Sequence, residues 1–472
     1  MTDSGESWTS SLINEQLRKR FENHDSAKVT NLARQTCIAA NMPAKKNITF
    51  EGEAGDNFAG LNNGCKIILN GDAGRFVGNG MCSGEIIVNG SCEGGIGHCL
   101  SGGTIVIQGS VDGDAGISMK EGNLLVSGTV RGNIGTCMTG GMIVVCGNVM
   151  GDIGNMMTKG KILISGNFDN NENLEAKNIS PSDWKKLQKK LKDYGIEPTG
   201  LDFKEVKNRN KITKKVKKKE ETKSIAETLM IMTATLSRRP RTPAIDKIDL
   251  SLSIGKNKTE PLKLTIPLLW NGANAPEYAI WNLNEKAPTN LQTANVAIID
   301  LRPTNVNRRL DMKKPTDLAF IVELIRQGSS KRIPIFIRLN AGDIENDLNI
   351  IDKANADGII IVSNNMPIEA AITAARAYKN DLAILASSER LNCENTVKMI
   401  ALGASGLFLE KGCSSKELKE FGIELSEITG SMGVGKINEL KPDNLRTNNQ
   451  ETAAMTGVPL AGYNSVLPMW RH

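Results

Sequence analysis

EIIVNGSCEGGIGHCLSGG (residues 85–103), TIVIQGSVDGDAGISMKEG (104–122) and NLLVSGTVRGNIGTCMTGG (123–141) are consecutive blocks of 19 residues that align without a gap. The phase continues on both sides. Gly52, Gly71, Gly90, Gly109, Gly128, Gly147 and Gly166 stand 19 apart, and each of the last six follows an apolar triplet with one residue between. The triplets lie at 67–69, 86–88, 105–107, 124–126, 143–145 and 162–164. Gly78, Gly97, Gly116, Gly135 and Gly154 fall seven residues after a repeat glycine, and Met81, Leu100, Met119, Met138 and Met157 fall ten after. Helical repeats use longer units and avoid this much glycine. Short β-branched strands joined by tight turns with φ > 0 need both, so the array reads as a right-handed β-helix with its triplets in one interior.

A single unit cannot bury its triplet, so stacking makes the core, at about 4.8 Å per layer and roughly 30 Å in all. The raw ends of such a rod need caps. Residues 1–46 are expected to form a helical cap segment, with Asn14 to Ala40 closing one end, and the β-helix is placed at 47–168.

The chain has 472 residues, 40% of them hydrophobic, which suffices for two or three domains with real cores. No apolar run is long enough for a membrane span, and the first residues lack the pattern of a secretory signal, so the expectation is a cytoplasmic protein. Nine cysteines without a C-x-x-C pair point to reduced, buried thiols, and three histidines are too few for a His-rich metal site. His98, in a glycine-rich corner, reads as a histidine hydrogen-bonded to backbone.

The formal charge of +6 is local. From Lys185 to Lys223 there are 15 Lys or Arg against six Asp or Glu, which leaves the rest of the chain at −3. Ser180-Pro181 opens a short helix with an apolar stripe at Leu187 and Leu191, and Gly195 closes it. The lysine run beyond it has no interleaved aromatics and is expected to be a solvated connector and not a nucleic-acid surface, and 169–224 as a whole is read as a helical and Lys-rich linker.

Beyond it, apolar runs at 263–268, 296–301, 333–339, 358–362, 382–386 and 406–409 read as buried parallel strands. Helical patterns at 315–327, 343–355, 367–379 and 393–402 alternate with them. Residues 225–472 therefore fit a (β/α)₈-like barrel, whose chemistry belongs at the strand carboxyl ends. Those ends carry Arg302, Arg338 with Asn340, Ser363-Asn364-Asn365, Ser387-Ser388-Glu389-Arg390 and Glu410-Lys411.

The 19-residue array resembles the GXGXG domain that closes the large subunit of glutamate synthase and recurs in one of the subunits of formylmethanofuran dehydrogenase. The second half resembles the FMN-binding barrel of glutamate synthase more faintly. Pro261-Leu262-Lys263-Leu264-Thr265-Ile266-Pro267 is similar to that family's first strand, Ile335-Phe336-Ile337-Arg338-Leu339 to its V-x-V-K-L strand, and Ala401-Leu402-Gly403-Ala404-Ser405-Gly406 to its A-L-G-A-D segment. The resemblance implies flavin-dependent reductive amination of 2-oxoglutarate, with amidotransferase and NADPH-flavin subunits as partners. It makes Arg338 the catalytic position facing FMN, and Ser363, Asn364, Ser387, Ser388 and Arg390 the cofactor-binding set.

The departures lie in the same places. Trp270-Asn271-Gly272-Ala273-Asn274-Ala275, Ser363-Asn364-Asn365-Met366-Pro367 and Ser387-Ser388-Glu389-Arg390-Leu391 replace the family's glycine-rich flavin loops, so backbone cannot approach a phosphate as closely. Cysteines for an iron–sulfur cluster are not retained, and none is expected. The alternative reading is a non-catalytic scaffold subunit with a degenerate barrel, or a protein like the GXGXG-bearing member of formylmethanofuran dehydrogenase.

Overall fold

The computed structural model describes residues 8–170, 172–209, 224–232, 248–254, 262–270, 276–282, 286–302, 315–329, 332–363, 366–378 and 381–461. The first half is built on a ten-stranded sheet. Its strands are β1 (Ser26–Ala33), β2 (Asn47–Glu53), β3 (Asn63–Asn70), β4 (Ser83–Val88), β5 (Ser101–Ile107), β6 (Glu121–Val126), β7 (Met142–Val145), β8 (Lys161–Ile164), β9 (Leu174–Asn178) and β10 (Lys204–Asn208). The order is β1 to β8 in sequence, then β10 and β9. From β2 to β8 every pair is parallel, and partners such as Ile67↔Ile86, Ile86↔Ile105 and Leu124↔Ile143 are one repeat apart.

Two further ladders keep the same interval. One runs Ala54↔Ala73↔Cys92, then Val111↔Val130↔Val149↔Phe168, the two stretches joined by Cys92↔Val111; the other runs Ile96↔Ala115↔Ile134↔Ile153. Polar side chains one residue after the repeat glycines tie the layers together. Ser91 N–H donates to Asp72 Oδ1 at 2.7 Å, Ser110 N–H to Ser91 Oγ at 3.1 Å and Thr129 N–H to Ser110 Oγ at 3.1 Å.

The two glycine series serve different ends. Gly116 has φ +69°, a left-handed corner, as the sequence suggests for the array as a whole. Gly109 has no positive φ; a Cβ there would lie 2.3 Å from Ser91 Oγ and 2.7 Å from Gly90 O. The repeat glycines from Gly90 onward are required by the close approach of successive layers, not by φ.

The apolar triplets do not share one interior either. Their outer two members, such as Ile105 and Ile107, enter the core enclosed by the array. The middle members Val106, Leu125, Val144 and Leu163 face the other way and are covered by α2 (Pro181–Asp193) through Leu187 and Leu191, with Phe203 beside them. Ser180 caps α2 by accepting from Asp183 N–H at 3.1 Å, with proline at the first turn. The segment read as a helical and Lys-rich linker thus carries its helix and adds the strands β9 and β10, while the lysine run at 211–223, expected to be solvated, lies outside the described residues.

At the other end, α1 (Ser10–Phe21) buries Ile13, Leu17 and Phe21 against the first layers. Among the described residues of the expected helical cap, only Ser10–Phe21 is an α-helix. Ser26–Ala33 is already a strand, paired parallel to β2 at a spacing of 21 residues before a bulge and 20 after it, off the 19-residue interval.

The second half is a curled seven-stranded parallel sheet: β11 (Leu268–Leu269), β12 (Tyr278–Asn282), β13 (Val296–Asp300), β14 (Ile335–Asn340), β15 (Gly358–Val362), β16 (Ala383–Ser388) and β17 (Gly406–Leu409). The order is β12-β13-β14-β15-β16-β17-β11. The chain winds in one direction and its first strand pairs beside its last, as in an α/β barrel and unlike an open doubly wound sheet. The helices are α3 (Pro315–Gly328), α4 (Ile344–Lys353), α5 (Ile368–Tyr378), α6 (Cys393–Ala401), α7 (Ser415–Ser431) and α8 (Gln450–Thr456).

Two details differ from the sequence reading. The run at 263–268 splits, because Leu262–Leu264 pairs antiparallel with Leu252–Ile254 and only Leu268–Leu269 joins the barrel sheet. Strand β12 has no clear alternation in sequence and was not expected. Among the described residues, no helix is long and apolar enough to cross a membrane.

The two halves pack directly. Cys37, Ala40, Leu61 and Cys82 of the array belong to the outer core of the barrel. Arg18 Nη2 donates to Gln327 O at 2.6 Å and to Ala40 O at 3.0 Å, and Asn41 Nδ2 donates to Gly328 O at 2.9 Å. Arg75 lies over the rings of Phe76 and of Phe320 in α3. Behind them runs a buried polar thread: His98 Nδ1 to Asn79 Oδ1 at 3.1 Å, Asn79 Nδ2 to Asn57 Oδ1 at 3.2 Å, and Asn57 Nδ2 to Phe320 O at 3.4 Å. The last carbonyl can only accept, so every donor points toward the barrel and His98 carries its proton on Nδ1. His98 is therefore held by a side-chain amide rather than by backbone. Burial, and secondarily Lys120, push its pKa down to about 4.

Candidate functional site at the strand carboxyl ends

The barrel strands alternate strictly. Val296, Ile298, Phe336, Ile360, Leu385 and Phe408 pack together on the inner face, while Ile299, Ile337, Ile359, Ile384 and Leu407 belong to the core under the helices. Two residues beyond an inner position lies the next inner position. That rule carries Ile298 to Asp300, Phe336 to Arg338, Leu385 to Ser387 and Phe408 to Glu410, so four polar side chains converge at one end of the barrel.

They form a single network. Glu410 Oε1 accepts from Arg338 Nη2 and from Ser387 Oγ, with Arg302 Nη1 3.9 Å away. Asp300 takes Arg302 in a fork, Nε to Oδ1 at 3.0 Å and Nη2 to Oδ2 at 2.8 Å, and accepts from Arg338 Nη1 at 3.4 Å. The Arg338 guanidinium lies 5.0 Å from the Phe408 ring centre, and Tyr278 packs on the same ring.

The electrostatics follow from burial and pairing. Desolvation would raise the Glu410 carboxyl, but hydrogen bonds from Arg338 and Ser387 and the nearby arginine charges hold it below its usual range. Burial pushes the Tyr278 hydroxyl up. Two cations and two carboxylates leave the cluster neutral.

Arg338 is almost fully buried, but its charge is answered by Asp300 and Glu410. Ser387 is in the network. Ser388 faces away from it, with its Oγ donating to Arg390 O at 2.7 Å, and Arg390 is exposed. Ser363 is exposed and donates to Met366 O at 3.4 Å; Asn364 lies outside the described residues. Of the sequence-derived set, the structure brings Arg338 and Ser387 together with Arg302 and Glu410. Asp300 was missed, although the inner parity of Val296 and Ile298 points to it.

Residues 13–222, somewhat less than half of the chain, match the family model described as the GXGXG motif. No curated protein sequence matches the chain. Among solved structures, similar chains include a mandelate oxidase variant with benzaldehyde, at 14% identity and TM-score 0.33, covering 47% of this chain and 87% of that one. An oxidised active mutant of (S)-mandelate dehydrogenase has 13% identity and TM-score 0.34, covering 47% and 89%. A soluble mutant of the membrane-associated (S)-mandelate dehydrogenase from Pseudomonas putida has 12% identity and TM-score 0.34, covering 47% and 88%.

Proposed function

We propose that this chain is a glutamate synthase-like protein of ammonia assimilation, in which a right-handed β-helix carries a (β/α)₈-like barrel. The observation that supports it is the GXGXG match over 13–222 joined, in one chain, to a barrel-wound parallel sheet. The reaction of such an assembly is the reductive amination of 2-oxoglutarate to glutamate. Amidotransferase and NADPH-flavin subunits are the partners this reading requires.

Within it, the chain's own part is that of a scaffold. The described residues do not fit a flavin phosphate. Ser387 is engaged by Glu410, Ser388 by the Arg390 carbonyl and Ser363 by the Met366 carbonyl, and no glycine stands among 387–391 to let backbone N–H groups approach. Arg338 is neutralised. No catalytic step is assigned to the barrel on its own.

Titration of FMN into the purified protein, followed by flavin fluorescence, tests this. Binding in the micromolar range or weaker, an unchanged result for Arg390→Ala, and no glutamate formation by the chain alone are expected. Stoichiometric nanomolar binding overturns the scaffold reading.

A further inference from the structure

Two donors meet at one atom, and a second guanidinium stands beside it. Arg338 Nη2 and Ser387 Oγ donate to Glu410 Oε1, and Arg302 Nη1 stands 3.9 Å from it. Arg338 and Ser387 stand in β14 and β16, whereas Arg302 follows β13 and Glu410 follows β17. The point of convergence is at the carboxyl ends of the strands, where barrels hold their ligands.

Charge and burial separate the two carboxylates. Asp300, its side chain 7% exposed, forks Arg302 and touches Arg338; it fixes both cations in place. Glu410 is the more open partner at 26%. Without it, Arg302, Arg338 and Asp300 sum to one positive charge, held largely out of water and needing an anion.

We infer that Arg302, Arg338 and Ser387 form a binding site for a small carboxylate, which Glu410 fills as a tethered pseudo-ligand that an incoming carboxylate displaces. A guanidinium pair plus a hydroxyl converging on one oxygen is the donor set such a group needs. The tether gives Glu410 a high local concentration, so the site is closed to weak anions and opens to a carboxylate with further contacts in the mouth. The ligand is a carboxylate and not a flavin phosphate, so the site stands whether or not the barrel binds FMN.

The full chain with Glu410→Ala is the test, titrated with formate, and separately with inorganic phosphate, at constant ionic strength made up with chloride. Thermal melting and calorimetry are the readouts. Expected are a lowered melting temperature that formate restores saturably, formate binding at least about tenfold tighter than to the parent, and loss of that binding when Arg338→Met is added. If Glu410→Ala does not fold without added anion, refolding yield in formate against equal chloride replaces melting. A variant that ignores formate, or that chloride rescues equally, reduces Glu410 to half of a structural ion pair and overturns the site. Tighter binding of phosphate than of formate overturns the carboxylate assignment.

Discussion

His98 should make the molecule acid-sensitive by an amount that can be isolated. Its folded-state pKa is about 4, against an ordinary value of 6.5. Between those limits the unfolded chain binds one proton more than the folded one, so stability falls as pH falls. It is fully present above 6.5 and the loss is complete below 4. At 1.36 kcal/mol per unit, the whole window is worth about 3 kcal/mol as an upper bound. Carboxylates titrate in the same range, so the parent alone is uninformative. His98→Asn is the comparison, because an amide can still donate to Asn79 Oδ1 without titrating. Urea unfolding of both proteins from pH 7 to 4 should give midpoints that diverge with pH, the parent losing more. Parallel curves would refute the reasoning, because His98 would then titrate alike in the folded and unfolded chains and the buried thread to Phe320 would carry no acid sensitivity.

Other consequences follow from the packing. Ile143→Asp buries a carboxylate in the array core and Val106→Asp buries one beneath α2; each should cost several kcal/mol by thermal melting. Only the second should also expose the Trp184 region to fluorescence quenchers while the rest of the array stays folded. Gly109→Ala should cost about 1–3 kcal/mol by forcing two layers apart, despite an ordinary φ. Limited trypsin digestion should cut first between Lys207 and Lys223, but the two pieces should co-elute on gel filtration, since Arg18, Asn41 and Arg75 bind them; separation into free fragments would count against that interface.

The 19-residue interval was legible because each unit pairs with the next in the same register, so pattern and structure share one period. What lay beyond it depended on context that periodicity does not encode. The triplets look uniform, yet their middle members turn outward because successive strand residues alternate faces, and α2 exists to cover them. Strand β1 was hidden because its partners in β2 lie 21 residues on before its bulge and 20 after it, never at the repeat interval. Arg338 and Ser387 were readable as strand-end polar residues. Their neutralisation was not, since Asp300 stands beside Arg338 and Glu410 beside Ser387 only once the strands pair in register, and Glu410 reaches Arg338 only because the sheet curls.

The three parallel ladders impose an arithmetic on how this molecule can vary. Because every layer repeats the same contacts, removing or adding 19 residues shifts everything beyond it by one layer, about 4.8 Å, and leaves each local environment unchanged. Any other length would throw the repeat glycines out of line with the backbone they must admit. The barrel is docked on the early layers and the α2 cover sits on the later ones. The separation between those two surfaces is thus set in whole steps, and the array acts as a ruler whose reading is the number of its repeats.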